Sequence, residues 1–130
     1  MNTLNLDSRF QKDQRLLNAR QFQNVFDHVD CKQSGKYFTF LSASSQQARQ
    51  RLGLVIAKKH IPLSVNRNKI KRAIREVFRQ PLDQKPATTE ITSFDVIVLA
   101  KSSANHLDAA QLNEELKKQW LRLIAKRQQL

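Results

Sequence analysis

Between Arg49 and Arg79 the sequence carries ten basic side chains, Arg49, Arg51, Lys58, Lys59, Arg67, Lys69, Lys71, Arg72, Arg75 and Arg79, against the single acid Glu76. The chemistry open to such a set is electrostatic, because guanidinium and ammonium groups hold phosphate oxygens through charge-assisted hydrogen bonds. Stepped at about 100° per residue, Ile70, Ala73, Ile74, Val77 and Phe78 form one arc of a helix. Arg67, Asn68, Lys71, Arg72, Arg75 and Arg79 form the adjoining arc. Arg67, Lys71, Arg75 and Arg79 are like charges four residues apart, and like charges at that spacing repel. A merely solvated helix face usually mixes signs, so this stripe points to a polyanionic partner that relieves the repulsion.

Other chemistries lack their residues. Cys31 is the only cysteine, which rules out an internal disulfide and a thiolate metal cluster. His28, His60 and His106 stand far apart with no ligand-type neighbour three or four residues away. No HExxH, Walker-type loop or GxGxxG occurs in a chain whose only glycines are Gly35 and Gly53. The whole chain repeats the local imbalance, with 23 Lys and Arg against 11 Asp and Glu and a formal charge of +12. Its 130 residues, 40% hydrophobic, suit one compact domain spanning 1–130. Within it, residues 1–14 are expected to form an extended arm. No apolar run is long enough for a bilayer span, and the first ten residues lack the basic-then-apolar order of a signal peptide, so a cytoplasmic protein is expected.

The elements that position the basic residues follow from periodicity. Asn18 can cap a first helix over about Ala19–His28, with Phe22, Val25, Phe26 and Val29 on one side. Gly35 introduces a strand over Lys36–Ser42, and a polar stretch separates it from a second strand over Arg51–Ala57; a hairpin joining these two is expected. Pro62 and Ser64 precede the basic helix over about Val65–Arg79, and Pro86–Ser93 reads as a linker. The run FDVIVLA, Phe94–Ala100, predicts a strand covered on both faces. Asp108 caps a last helix in which Leu112, Leu116, Trp120 and Leu123 recur at helical spacing. The order is α-β-β-β-α-β-α if the first hairpin contains an extra short strand and α-β-β-α-β-α if it does not. Either order makes a small, sandwich-like α/β domain with a mixed sheet.

Strand parity adds one feature. Leu52, Leu54 and Ile56 alternate with Gly53, Val55 and Ala57, and the larger set is expected to face the core. The smaller set leads to Lys59 and makes either a shallow trough for a single nucleic-acid strand or a face covered by the first helix.

Arg67-Asn68-x-x-Lys71-Arg72-x-x-Arg75-Glu76, followed by Phe78-Arg79 and preceded by Arg51-x-Gly53-x-x-x-x-Lys58-Lys59, resembles the signature of the protein component of bacterial ribonuclease P. The similarity extends to Arg15-Leu16, to Phe22-x-x-Val25-Phe26 and to Asp95-x-Ile97-Val98-x-Ala100, in the right order over nearly the whole chain. The resemblance implies about four strands and three helices, with a left-handed crossover where the usual rule gives a right-handed one. It implies a protein partner of a catalytic RNA that, with Mg2+, removes the 5′ leader of precursor tRNA; the reaction centre then lies in the RNA and no residue here is catalytic. Carried over residue by residue, Arg67, Asn68, Lys69, Lys71, Arg72 and Arg75 would face that RNA. Phe22, Phe26, Ala57, Lys58 and Lys59 would line a cleft for the single-stranded leader, and the free protein would be a monomer. Lys69 stands where the family often has arginine, keeping the charge but losing the planar fork. Leu41 stands where some members present an aromatic ring, leaving an apolar contact in place of stacking. Phe22 and Phe26 suit helix packing as well as leader contact.

Composition and periodicity alone also fit a ribosomal or general RNA-binding protein. A DNA-binding helix is less well supported, since no helix-turn-helix pairing is visible. A protein-only nuclease would need acids placed together, whereas Glu76 and Asp95 are distant in sequence, and Asp95 is expected to pair with a strand neighbour.

Overall fold

A computed structural model describes residues 18–44, 51–79 and 94–129. The expected arm at 1–14, the linker at 86–93 and Arg49 lie outside the described residues. The elements run α1 (Ala19–Asp27), β1 (Cys31–Ser34), β2 (Phe38–Ser44), β3 (Arg51–Val55), α2 (Ser64–Arg79), β4 (Phe94–Ala100), a 3-10 turn (Ser102–His106) and α3 (Ala109–Arg127). Local chemistry sets the helix starts. The Asn18 side chain accepts from the Gln21 amide at 3.0 Å, and Asp108 and Gln111 form a reciprocal capping box at the start of α3.

The four strands form one mixed sheet in the order β1-β2-β4-β3. β2 is antiparallel to β1 and β4, while β3 runs parallel to β4 with α2 in the connection between them. The hairpin expected between β2 and β3 is therefore not formed, because β4 lies between them. The apolar run of β4 takes the central position that its two-sided burial demands, and every residue in it but Leu99 is buried. The observed order is the expected alternative with an extra short strand, α-β-β-β-α-β-α, and that strand is β1, of polar sequence CKQS, which is the hairpin partner of β2. Only Cys31 and Gln33 of β1 face inward, in the alternating burial of an edge strand. β3 also stops two residues short of Ala57, whose carbonyl accepts from the His60 and Ile61 amides and turns the chain.

The larger set on β3 does face the core. Phe38, Phe40, Leu52, Phe94, Val96 and Val98 cover one sheet face, against Ile70, Ile74 and Val77 of α2 and Leu112, Leu116, Trp120 and Leu123 of α3. The Trp120 ring sits 4.3 Å from that of Phe78 and 5.9 Å from that of Phe94, centroid to centroid. The opposite face carries a smaller cluster of Val25, Ala43 and Ile97, with Phe22, Val55 and Leu99 packed on it. The face of small residues is thus at least partly covered by α1.

Long-range polar contacts fasten α3 to the β1–β2 hairpin. Gln33 donates to Gln119 at 2.8 Å inside the protein, and a Cβ on Gly35 would come within 2.3 Å of that Gln119 amide. Arg127 donates to Asp30 and to the Ser42 hydroxyl, while the Ser44 amide and hydroxyl donate to Asp30. Burial by itself would raise the Asp30 carboxyl, but the hydrogen bonds from Arg127 and Ser44, with the charge of Arg127, outweigh it and hold the group below its ordinary 3.8. A depressed carboxyl stabilises the fold above its unfolded pKa, and that stabilisation is lost as pH falls through the folded value. In thermal melts Asp30→Asn is expected to cost roughly 1 kcal/mol near neutral pH, with the deficit shrinking below about pH 4. A deficit independent of pH would remove the carboxylate from this role.

Candidate nucleic-acid interface

α2 is amphipathic as its sequence predicts, with Ile70, Ile74 and Val77 buried and Ala73 and Phe78 packed beside them. Its basic residues divide by angle around the axis. Asn68, Arg72 and Arg75 stand at the centre of the polar arc and are exposed. Arg67 and Lys71 border the apolar arc on one side and Lys69 on the other, and all three are half-buried. Arg67 bends back, its Nη1 donating to the carbonyls of Ile61 at 3.0 Å and Pro62 at 2.9 Å. Lys69 Nζ donates to the Leu107 carbonyl at 3.1 Å, at the entry to α3. The six residues share one helix, but two of them already serve internal carbonyls.

Arg51 is engaged more deeply. Its Nε and Nη2 donate to the two carboxylate oxygens of Asp95 at 2.9 and 2.7 Å, across the pairing of β3 with β4, and Asp95 is only 2% exposed. The hydrogen bond to Asp95 holds the guanidinium above its usual pKa against the opposing effect of burial. Asp95 thus finds the strand neighbour expected of it.

The other candidates lie elsewhere. Phe22 is half-buried in the small cluster under α1, whereas Phe26, one turn further on, is 41% exposed. Since α1 covers the sheet face opposite the one under α2, these rings and the basic helix are on different sides of the sheet. Ala57 is half-buried, and Lys58 and Lys59 are exposed in the turn that runs from the end of β3 to α2. Leu41 is half-buried and points to the α1 face, its register partner on β4 being Ile97. Three neighbours of the site escaped the sequence: Asn105, which donates to the His60 carbonyl at 2.7 Å, and Leu63 and Val65, which are 60% and 68% exposed beside the stripe. A β-turn-like run ahead of a basic helix gives no signal for the distant partner of such a carbonyl.

Among the described residues no three His, Cys, Asp or Glu side chains come together as a metal site, and no helix is long and apolar enough to cross a membrane. The centre of the polar arc of α2 holds an amide and two guanidiniums, Asn68, Arg72 and Arg75, among its described side chains. What it offers is fixed positive charge on a rigid helix.

The chain is similar to known proteins over most of its length. A sequence model of the family described as Ribonuclease P matches residues 10–124. The ribonuclease P protein component of Pseudomonas aeruginosa is 38% identical over 118 residues, covering 91% of this chain and 83% of that protein. That of Azotobacter vinelandii is 38% identical over 120 residues, covering 92% and 88%. Among solved structures, the Staphylococcus aureus RNase P protein superposes with a TM-score of 0.69 at 29% identity, covering 87% of this chain and 95% of that one. The Thermotoga maritima RNase P protein, in complex with 1-(4-fluorophenyl)-2-thiourea, gives 0.66 at 26% identity, with 84% and 95% covered.

Proposed function

Because the chain belongs to the ribonuclease P protein family, as the protein component of the endoribonuclease that matures tRNA 5′ ends with an RNA subunit, we propose that α2 is its docking surface for that RNA. The observation that carries this is the exposed row Asn68, Arg72 and Arg75 on a helix whose opposite side is locked into the core. Arg72 and Arg75 contact phosphates directly. Lys71 adds charge from the edge of the stripe, and Arg67 and Lys69 do so while also holding the neighbouring loops. Each neutralised phosphate releases counterions, so the protein lowers the Mg2+ concentration at which the RNA folds and cleaves. Among the described residues no three His, Cys, Asp or Glu side chains gather to hold Mg2+, and Asp30 and Asp95 are each committed to an arginine. The ion is therefore assigned to the RNA, where it supplies the hydrolytic chemistry.

The substrate is precursor tRNA, and its 5′ leader lies along the α1 side of the sheet. Phe26 is the ring available to a base, Phe22 shares its faces with the core, and Lys58 and Lys59 meet phosphates beyond Ala57. Mature tRNA lacks the leader, so this contact favours substrate over product. The protein works in the cytoplasm and is a monomer until it joins the RNA.

The test mixes the protein with a bacterial ribonuclease P RNA and a leader-bearing precursor tRNA at low Mg2+, beside protein alone and RNA alone. Cleavage in the mixture only is expected. Cleavage by protein alone would move the chemistry into this chain, and binding without cleavage would favour a general RNA-binding protein. In the same assembly Phe26→Ala is expected to weaken precursor binding about fivefold and leave mature tRNA unchanged, given roughly 1 kcal/mol for a partly exposed stacking ring. An equal loss for both ligands would exclude leader contact at that ring.

A further inference from the structure

In the turn from β3 to α2 the carbonyls of Ala57, His60, Ile61, Pro62 and Leu63 all accept hydrogen bonds. The Ala57 carbonyl accepts from the His60 and Ile61 amides at 3.1 and 2.9 Å, and the Leu63 carbonyl accepts from the Asn66 and Arg67 amides. Arg67 takes the carbonyls of Ile61 and Pro62. The remaining hold comes from far along the chain. Asn105 Nδ2 donates at once to the His60 carbonyl, at 2.7 Å, and to the Ser102 carbonyl, at 2.9 Å, while its Oδ1 faces Asn66 Nδ2 at 3.4 Å. The His60 ring and the Ser102 hydroxyl meet alongside at 3.3 Å. The 3-10 turn that carries Asn105 is itself anchored, since the Lys101 amide donates to the Tyr37 carbonyl and the Ser103 hydroxyl to the Lys36 carbonyl.

The uncharged Asn105 amide, with the His60–Ser102 contact beside it, therefore ties the turn bearing Lys58 and Lys59 to the end of the sheet. We infer that Asn105 is a positioning residue for RNA binding, fixing where Lys58 and Lys59 present their charge next to the start of α2. This rests on the reading of those two lysines as phosphate contacts. Both are exposed and their turn reaches out from the sheet end, so their charges meet phosphates at a set spacing only if the backbone beneath them is already ordered. A tether that served stability alone would also satisfy the His60 carbonyl, and the two roles separate in the salt dependence of binding. Asn105 carries no charge, so a variant that stays folded across the whole KCl range loses salt slope only if Lys58 and Lys59 are displaced from their phosphates.

The experiment measures binding of the full-length protein to ribonuclease P RNA and to leader-bearing precursor tRNA in the assembled enzyme, as a function of KCl concentration. It compares wild type, Asn105→Ala, Lys58→Ala with Lys59→Ala, and the triple variant. Asn105→Ser, too short to reach the His60 carbonyl, serves if the alanine variant melts near the assay temperature. The lysine pair is expected to lower the slope by about two. Asn105→Ala is expected to lower affinity about three- to tenfold and to remove part of that slope, with little further change when added to the lysine pair. An unchanged slope in the lysine pair would overturn the reading of Lys58 and Lys59 itself. A slope lost in the lysine pair but kept in Asn105→Ala, or additive losses in the triple variant, would overturn the positioning role alone.

Discussion

Arg72→Ala combined with Arg75→Ala is expected to weaken binding of the ribonuclease P RNA about a hundredfold near 0.1 M salt and to lower the slope of log affinity against log salt by about two. Each phosphate contact contributes about one unit of slope, which at tenfold dilution from 1 M salt is about tenfold in affinity. These two residues are chosen because both are exposed and stand at the centre of the polar arc of α2. Their replacement by alanine, a good helix former, leaves the buried face of Ile70, Ile74 and Val77 untouched, so melting temperature should hardly move. Arg67→Ala is a different experiment. It also releases the carbonyls of Ile61 and Pro62, so stability and RNA binding should fall together. Measured slopes that stay at the wild-type value in the Arg72 and Arg75 double variant would remove α2 from the interface.

The largest effect on stability is expected at Trp120, where alanine should cost about 3–5 kcal/mol in chemical denaturation. Its indole is 3% exposed and packs, tilted, among Phe40, Phe78 and Phe94, the place where α2, α3 and the sheet meet. Truncation leaves a cavity bounded by two strands of the sheet and two helices, which cannot all close on it. Such a cost is a large share of the whole stability of a domain this size. The functional consequence is specific: Phe78 loses its nearest ring, so the C-terminal half of the basic helix loses its seat while its charges stay. RNA binding by Trp120→Ala should then weaken most at temperatures where the free protein is partly unfolded and recover on cooling. An unfolding free energy within about 1 kcal/mol of wild type would mean that the aromatic cluster repacks.

Much of this protein was legible from its sequence because the signals are local. The 3.6-residue spacing of Ile70, Ile74 and Val77, and of Leu112, Leu116, Trp120 and Leu123, places α2 and α3. Asn18 and Asp108 mark helix starts, and the apolar run of β4 specifies a strand buried on both faces. The charge stripe, and through its motif the family, needed no tertiary information either. Strand neighbours were not legible, since parity says which side chains share a face and is silent on which strand lies alongside. That is how the expected β2–β3 hairpin gave way to β4 between them, and how the polar β1 went unpaired in the sequence.

The division of the cations was likewise decided only by the fold. In sequence Arg51, Arg67, Lys69, Arg72, Arg75 and Arg127 are equivalent positive charges. Folding gives Arg51 to Asp95, 44 residues away, and Arg127 to Asp30, 97 residues away. Arg67 and Lys69 are turned to backbone carbonyls, and Arg72 and Arg75 remain facing solvent. The amount of positive charge and the helix that carries it follow from neighbours within a turn or two, which sequence order records. Which of those charges remain for a partner depends on contacts closed across tens of residues, which exist only once the chain has folded.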